Sequence, residues 1–242
     1  MNLCIDQGNS STKAGVFNHD KLIECFKYDQ FGESELSEML AKFPIVKCII
    51  SSVLSDNKDI IENLKKKIEF TIELTHQTYM PIEIRYSTPE TLGKDRLAAV
   101  VGASYLKPDT NILVIDAGTA ITYDLIDSSN KYLGGNIAPG LMLRLRSLHE
   151  FTQKLPLVTP KKESPFIGNT TESAILSGAL YGIVFEIDGY IDALKIKYPQ
   201  LSTFLTGGST FYFDTKLKNA IFAERNLVLI GLNRILQYNV QK

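Results

Sequence analysis

Two short apolar runs in this chain end in the same way, and that repetition constrains the fold more than any other feature. Leu3 to Ile5 runs into Asp6-Gln7-Gly8-Asn9-Ser10, and Ile112 to Ile115 runs into Asp116-Ala117-Gly118-Thr119-Ala120. Each turn leads into a strand, a further turn and another strand: Ala14 to Phe17 and Leu22 to Tyr28 in the first copy, Ile121 to Ile126 and Tyr132 onward in the second. A supersecondary unit repeated once, at one long offset, implies paired lobes and not a solenoid. The expected division is an N-terminal lobe over residues 1–110 and a C-terminal lobe over 111–242, with the boundary at the Pro108-Asp109 turn.

Helical patterns alternate with these strands. Glu33 to Lys42 carries Leu36, Met39 and Leu40 at helical spacing and stops before Pro44. Val46 to Val53 is almost wholly apolar, as in a strand covered on both faces. Asp59 to Ile68 is again helical, and its Lys65-Lys66-Lys67 triplet suits a solvated C-terminal end. Further helices are expected over Leu141 to Lys154, Thr171 to Lys197 and Leu227 to Tyr238, with a strand at Thr203 to Leu205 that ends in Thr206-Gly207-Gly208. Alternating strands and helices give an α/β class with mixed sheets.

Composition narrows the function. With 26 Lys and Arg against 27 Asp and Glu, the chain carries no bulk positive field, so neither a nucleic-acid partner nor an anionic membrane is expected. Unbroken apolar stretches fall far short of the roughly 20 residues of a membrane span. Met1 to Asp6 lacks the basic flank and apolar run of a signal peptide, which makes the cytoplasm the expected location. Cys4, Cys25 and Cys48 are odd in number and form no CxxC pair, so they are expected to be core residues and not a disulfide framework or zinc site. His19, His76 and His149 lie far apart, as surface or capping residues do.

Several phosphate-handling and hydrolytic signatures are missing. No two glycines are separated by a single residue, which removes the Rossmann and protein-kinase glycine loops. Gly93-Lys94 fails as a P-loop, because Thr88 stands where its first glycine belongs and Asp95 where the Ser or Thr metal ligand belongs. There is no Gly-x-Ser-x-Gly elbow and no HExxH helix.

The paired turns remain. An aspartate at the end of a buried strand can hold a cation or its water shell, a glycine permits the sharp turn, and the following residues offer N–H and hydroxyl donors to phosphate oxygens. Two such turns facing each other would clamp a polyphosphate and its metal, with Lys13 as a point cation toward the transferred group. Taken singly, each is an ordinary hairpin turn; two at matching places point to function. Thr206-Gly207-Gly208 fits a third close approach of backbone to ligand, at the nucleoside end.

These three motifs, in this order, resemble the superfamily of sugar kinases, actin and heat-shock ATPases. Three further segments resemble the type III pantothenate kinases: Tyr86-x-x-Pro89-x-x-x-Gly93-x-Asp95-Arg96, Gly134-Gly135-x-Ile137-x-Pro139-Gly140, and Gly168-x-x-Thr171 leading into Ser177-Gly178. The resemblance implies two duplicated ribonuclease-H-like lobes, an actin-like ATPase fold with mixed five-stranded sheets flanked by helices, and ATP in the cleft between them. It also implies an ATP-dependent kinase that phosphorylates pantothenate to 4′-phosphopantothenate, the first step of coenzyme A biosynthesis.

Residue by residue, the resemblance makes Asp95 the acceptor of the pantothenate hydroxyl proton and Arg96 the holder of its carboxylate. Tyr86, Gly93, Lys94 and Thr171 would line the same pocket. Asp6, Gln7, Gly8, Asn9, Ser10, Ser11, Thr12, Lys13 and Thr119 would contact ATP phosphates, with Gly207 and Gly208 beside the nucleoside. Asp116 would bind a monovalent cation, potassium or ammonium, and Asp6 would serve magnesium, directly or through water. A homodimer is also implied. Ser10 replaces the family's usual threonine and keeps the hydroxyl; Lys94 replaces a small or apolar residue and puts a second cation beside Asp95. Taken without the other motifs, Asp95-Arg96 is a helix-start acid beside a surface arginine. The rivals are another small-molecule kinase of the superfamily, acting on a sugar, acetate or an amide, and a catalytically silent nucleotide-binding module that works through protein partners.

Overall fold

In the computed structural model, which describes residues 1–54 and 57–241, the chain opens with β1 (Asn2–Gln7), β2 (Thr12–Asn18) and β3 (Lys21–Tyr28). Then come α1 (Glu33–Lys42), β4 (Lys47–Ser52), α2 (Lys58–Lys67), β5 (Phe70–Glu73), β6 (Glu83–Ile84) and α3 (Lys94–Leu106). The duplicated pattern restarts at β7 (Ile112–Ala117), β8 (Ala120–Ile126) and β9 (Lys131–Pro139). The rest is α4 (Leu141–Glu150), α5 (Thr171–Lys197), β10 (Ser202–Thr206), β11 (Phe222–Ala223) and α6 (Leu227–Val240). Two compact units result: Met1–Asp109 with Ser129–Leu133 and Asn226–Lys242, and Thr110–Ser128 with Gly134–Arg225.

The first unit holds a five-stranded mixed sheet in the order β3-β2-β1-β4-β5, antiparallel across β3-β2-β1 and parallel across β1-β4-β5. Leu3 and Ile5 of β1 and Cys48 and Ile50 of β4 share one core with Leu36 and Met39 of α1 and Ile61 and Leu64 of α2. The apolar stripes of those two helices therefore point at the sheet, as their spacing requires. Against this unit also pack α3 and α6, which cross at two glycines. A Cβ on Gly231 would collide with the Ala98 carbonyl, and one on Gly102 with the Leu227 carbonyl. Only a residue without a side chain lets two backbones approach so closely.

In the second unit the strands run β11-β10-β7-β8-β9. Leu113, Ile115 and Ala117 of β7 meet Leu141 and Leu145 of α4 and the Ile175, Leu180, Ile183 and Ile187 stripe of α5. By length and composition α5 could cross a membrane, yet its apolar stripe lies in this core. The first residues of β9 belong to the first unit, where Lys131 and Tyr132 pair in parallel with Glu83 and Ile84 of β6. The expected five strands are thus extended by a sixth of two residues.

Other differences have physical causes. The expected C-terminal lobe of 111–242 included the last helix, but α6 lies in the first unit, packed on α3, β1 and β4. The helical pattern expected over Leu141 to Lys154 closes at Glu150. Cys4 and Cys48 are buried as expected, whereas Cys25 is exposed, because β3 is the outer strand of its sheet.

Candidate active site

Each acidic turn is fixed by the register of its neighbours. In the first, Asp6 of β1 pairs with Lys13 of β2 on one side and Ser51 of β4 on the other. Paired residues of adjacent strands project from the same face, so carboxylate, ammonium and hydroxyl rise together at the end of the sheet. The loop between the strands, residues 8–11, is closed by a bond from Gly8 N–H to Ser11 O at 3.1 Å, and its tip residues Asn9 and Ser10 are exposed. Gln7 and Thr12 are buried; Gln7 Oε1 accepts from Ser52 Oγ at 2.8 Å, which ties β1 to β4 below the turn.

In the second turn Asp116 of β7 pairs with Thr122 of β8 and Thr206 of β10. The connection is shorter, residues 118 and 119 only, with Gly118 N–H bonded to Ala120 O at 3.0 Å. Gly207 follows β10 with φ of 101°, and a Cβ there would stand 2.5 Å from Asp116 Oδ1 and from the Ala117 carbonyl oxygen. Ser209 N–H then donates to the Ala117 carbonyl at 2.9 Å. The Thr206-Gly207-Gly208 bend is therefore wrapped on the Asp116 strand end, and Gly207 is the residue that permits it.

The end of β9 abuts the same turn. Gly140 N–H donates to Thr119 O at 3.1 Å, and a Cβ on Gly140 would lie 2.5 Å from the carbonyl oxygens of Gly118 and Thr119. Arg144, one turn into α4, secures this junction: Nε donates to Pro139 O at 2.8 Å and Nη2 to Glu186 Oε2 at 2.7 Å. The other Glu186 oxygen accepts from Tyr123 Oη at 2.6 Å. Burial, then that bond to the Glu186 carboxylate, pushes the Tyr123 phenol well above its ordinary pKa.

Asp95 and Arg96 occupy the first turn of α3, with Gly93 as its N-cap. Asp95 Oδ1 accepts from Arg96 N–H at 2.9 Å, and a Cβ on Gly93 would fall 2.7 Å from that oxygen. The glycine leaves room for the carboxylate at a helix N-terminus, where the dipole favours negative charge. Arg96 is no surface residue: it is 6 % exposed, and Nη2 donates to Tyr132 Oη at 3.0 Å. Tyr86 stacks at a tilt on Tyr132, ring centroids 6.0 Å apart. Gly93, Asp95, Arg96 and Tyr86 thus form one cluster in the first unit. Lys94 lines a separate cavity of about 240 Å³ with Leu74, His76, Glu90 and Leu97. In the second unit Thr171 is the exposed first residue of α5, and its neighbour Thr170 is the N-cap, accepting from Ser173 N–H at 3.2 Å.

Two features bear on a metal–nucleotide complex. Ser51 Oγ and Thr122 Oγ1 are buried without a hydrogen-bond partner, and each stands on the strand beside one of the two aspartates. A buried hydroxyl left unsatisfied costs about 1–3 kcal/mol, and a bound polar group removes that cost. Carboxylate and hydroxyl oxygens are the ligands magnesium and other hard cations prefer. Within each unit the aspartate and its neighbouring hydroxyl are donors of the kind such a cation takes. Among the described residues no group of three or more His, Cys, Asp or Glu side chains could hold a metal alone. Sequence reasoning passed over Ser51, Tyr132 and the Arg144–Glu186 pair, and reached Thr122 only as the end of the second turn. Ser51-Ser52, the polar close of an otherwise apolar strand, was the available signal for the first of these.

Comparisons with known proteins agree with this arrangement. A relative in Phocaeicola vulgatus named type III pantothenate kinase is 49 % identical over 239 residues, covering 99 % of both chains. A solved structure from Campylobacter jejuni, described as a Baf family transcriptional activator, is 24 % identical with a TM-score of 0.65 over 99 % of this chain and all of that one. One from Listeria monocytogenes, described as an N-acetylmannosamine kinase, shares the fold at 13 % identity and a TM-score of 0.55, covering 98 % of each chain. The type III pantothenate kinase pattern matches residues 2–193. The chain belongs to the type III pantothenate kinase family, with the duplicated mixed-sheet fold of the sugar kinases and ATPases.

Proposed function

We propose that this protein transfers the γ-phosphoryl group of ATP to the 4′-hydroxyl of pantothenate, opening coenzyme A synthesis, with Asp95 as the residue that receives the hydroxyl proton. The observation that carries the reading is the Asp95-Arg96 pair at the start of α3, in a chain of this family. Phosphoryl transfer passes through a loose transition state, so the acceptor needs orientation more than early deprotonation. A carboxylate Oδ within hydrogen-bond reach of the alcohol supplies it and accepts the proton as the P–O bond forms. The Arg96 guanidinium takes the pantothenate carboxylate in a planar, bidentate grip. We assign Tyr86, Gly93, Lys94 and Thr171 to acceptor binding as well.

Residues 6–13, Thr119, Gly207 and Gly208 hold the nucleotide. Their N–H and hydroxyl donors suit phosphate oxygens, and Lys13 would supply a cation to the transferred group. Magnesium, when bound near Asp6, neutralises phosphate charge. A monovalent cation, potassium or ammonium, suits Asp116 with the Thr122 hydroxyl beside it. We assign one ribonuclease-H-like lobe to residues 1–110 together with α6, and the other to the remainder of the expected 111–242 lobe.

A homodimer in the cytoplasm completes the proposal. Phe166, Ile167, Phe185 and Ile196, on and just before α5, are all at least 60 % exposed, and Phe166 packs its ring on Tyr181 and Phe185. An apolar surface of this kind favours cover by a second copy. The decisive experiment is Asp95→Asn, followed by ADP release with pantothenate and by ATP binding. Turnover should fall about 10³-fold with ATP affinity nearly intact. A variant that keeps a tenth or more of the activity would show the proton acceptor to be another group.

A further inference from the structure

We propose that Tyr132 is a positioning residue for acceptor recognition: its buried phenol oxygen holds the Arg96 guanidinium in the plane needed to receive a carboxylate. This rests on the reading of Arg96 as the carboxylate-binding group. Tyr132 is fully buried on β9 and Arg96 is 6 % exposed on α3, and their 3.0 Å bond links two elements 36 residues apart in sequence. An arginine fork binds a carboxylate through two parallel N–H groups, so the orientation of its plane decides whether both bonds form at once. A flexible side chain loses much of its binding advantage to ordering; one already tethered does not. Bonding of Nη2 to a phenol that is itself immobilised meets that requirement, since Tyr86 packs against the Tyr132 ring and β6 pairs with the strand at residue 132.

The same strand continues into the Gly134-Gly135 and Pro139-Gly140 segments. Gly134 has φ of 116°, and the strand's far end is bonded to the Thr119 turn. Tyr132 therefore lies on the part of β9 that pairs with β6 and bonds Arg96, ahead of the left-handed backbone at Gly134. The Tyr132–Arg96 bond lies within the acceptor cluster, so the effect of the phenol should fall on the acceptor.

The test is Tyr132→Phe, which keeps the ring and removes only the oxygen. The KM for pantothenate should rise about ten-fold, the factor expected from one lost hydrogen bond to a charged group, while kcat and the KM for ATP stay within about two-fold. The preference of the enzyme for pantothenate over its alcohol analogue pantothenol should shrink by the same factor. In an Arg96→Lys background the Tyr132→Phe change should add nothing further. p-Aminophenylalanine at position 132, isosteric with tyrosine but a poor acceptor, should reproduce the KM effect even if the phenylalanine variant folds badly. An unchanged pantothenate KM, an equal rise in the ATP KM, or a full additional effect in the Arg96→Lys background would each overturn the proposal. If the unmodified enzyme fails to prefer pantothenate over pantothenol, the carboxylate role of Arg96 falls first, and the assignment of Tyr132 falls with it.

Discussion

The two acidic turns share a plan and differ in how they handle charge. In the first, the residue opposite the aspartate is Lys13, and the loop is long enough to expose Asn9 and Ser10 at its tip. In the second, the equivalent position is Thr122, the loop has two residues, and the bend at Gly207 is laid against the aspartate. One copy brings a cation; the other brings closely packed backbone. A duplicated unit with identical halves would offer a polyphosphate two equal anion traps. On the proposed function the halves would divide the work, one neutralising charge and the other fixing position, as the opposite demands of electrostatics and shape require.

The comparison can be broken at three points. Lys13→Met should have the largest effect, a fall in kcat of about 10²- to 10³-fold with a smaller change in ATP affinity, because the lost cation acts on charge that develops at the transferred group. Equal losses in binding and turnover would show that both turns merely bind. Gly207→Ala should come next. Its Cβ must take a left-handed backbone beside Asp116 Oδ1, and a strained φ costs on the order of 1–3 kcal/mol, so ATP KM should rise by about ten-fold or more. Titration of ATP binding by calorimetry reads this directly, and unchanged affinity would remove the backbone half of the contrast. Thr122→Val should be the smallest and the sharpest: ATP KM or the requirement for a monovalent cation should rise about three-fold, while Tm stays level or increases, because an unsatisfied buried hydroxyl is lost. A fall in Tm would mean that the hydroxyl already has a structural partner.

The limits of reading the chain as sequence fall along similar lines. Helix α1 ends where Leu36, Met39 and Leu40 and the approach to Pro44 place it, and α5 spans the residues expected, because each carries a strong periodic or terminal signal. Helix α3 left no such signal. From Arg96 to Ala103 it is buried without interruption, so it has no polar face against which an apolar stripe could be counted. β5 and β6 are too short for alternation to register. In the site, the aspartates and glycines were legible because their chemistry is written in single residue types. Arg96 as a buried group, Ser51 as a neighbour of Asp6 and the Arg144–Glu186 clamp exist only through contacts between residues distant in the chain. Residue type alone cannot express such pairings.

The crossing of α3 and α6 through Gly102 and Gly231 also has a consequence for how the molecule is made. Helix α6 follows the whole of the second unit in the chain, yet it lies against β1 and β4 of the first. As synthesis proceeds from the N-terminus, the first unit must wait with one flank of α3 uncovered until α6 emerges. The half that is begun earliest is completed last, and a ribosome stalled before residue 226 would hold a finished second unit beside an unfinished first one.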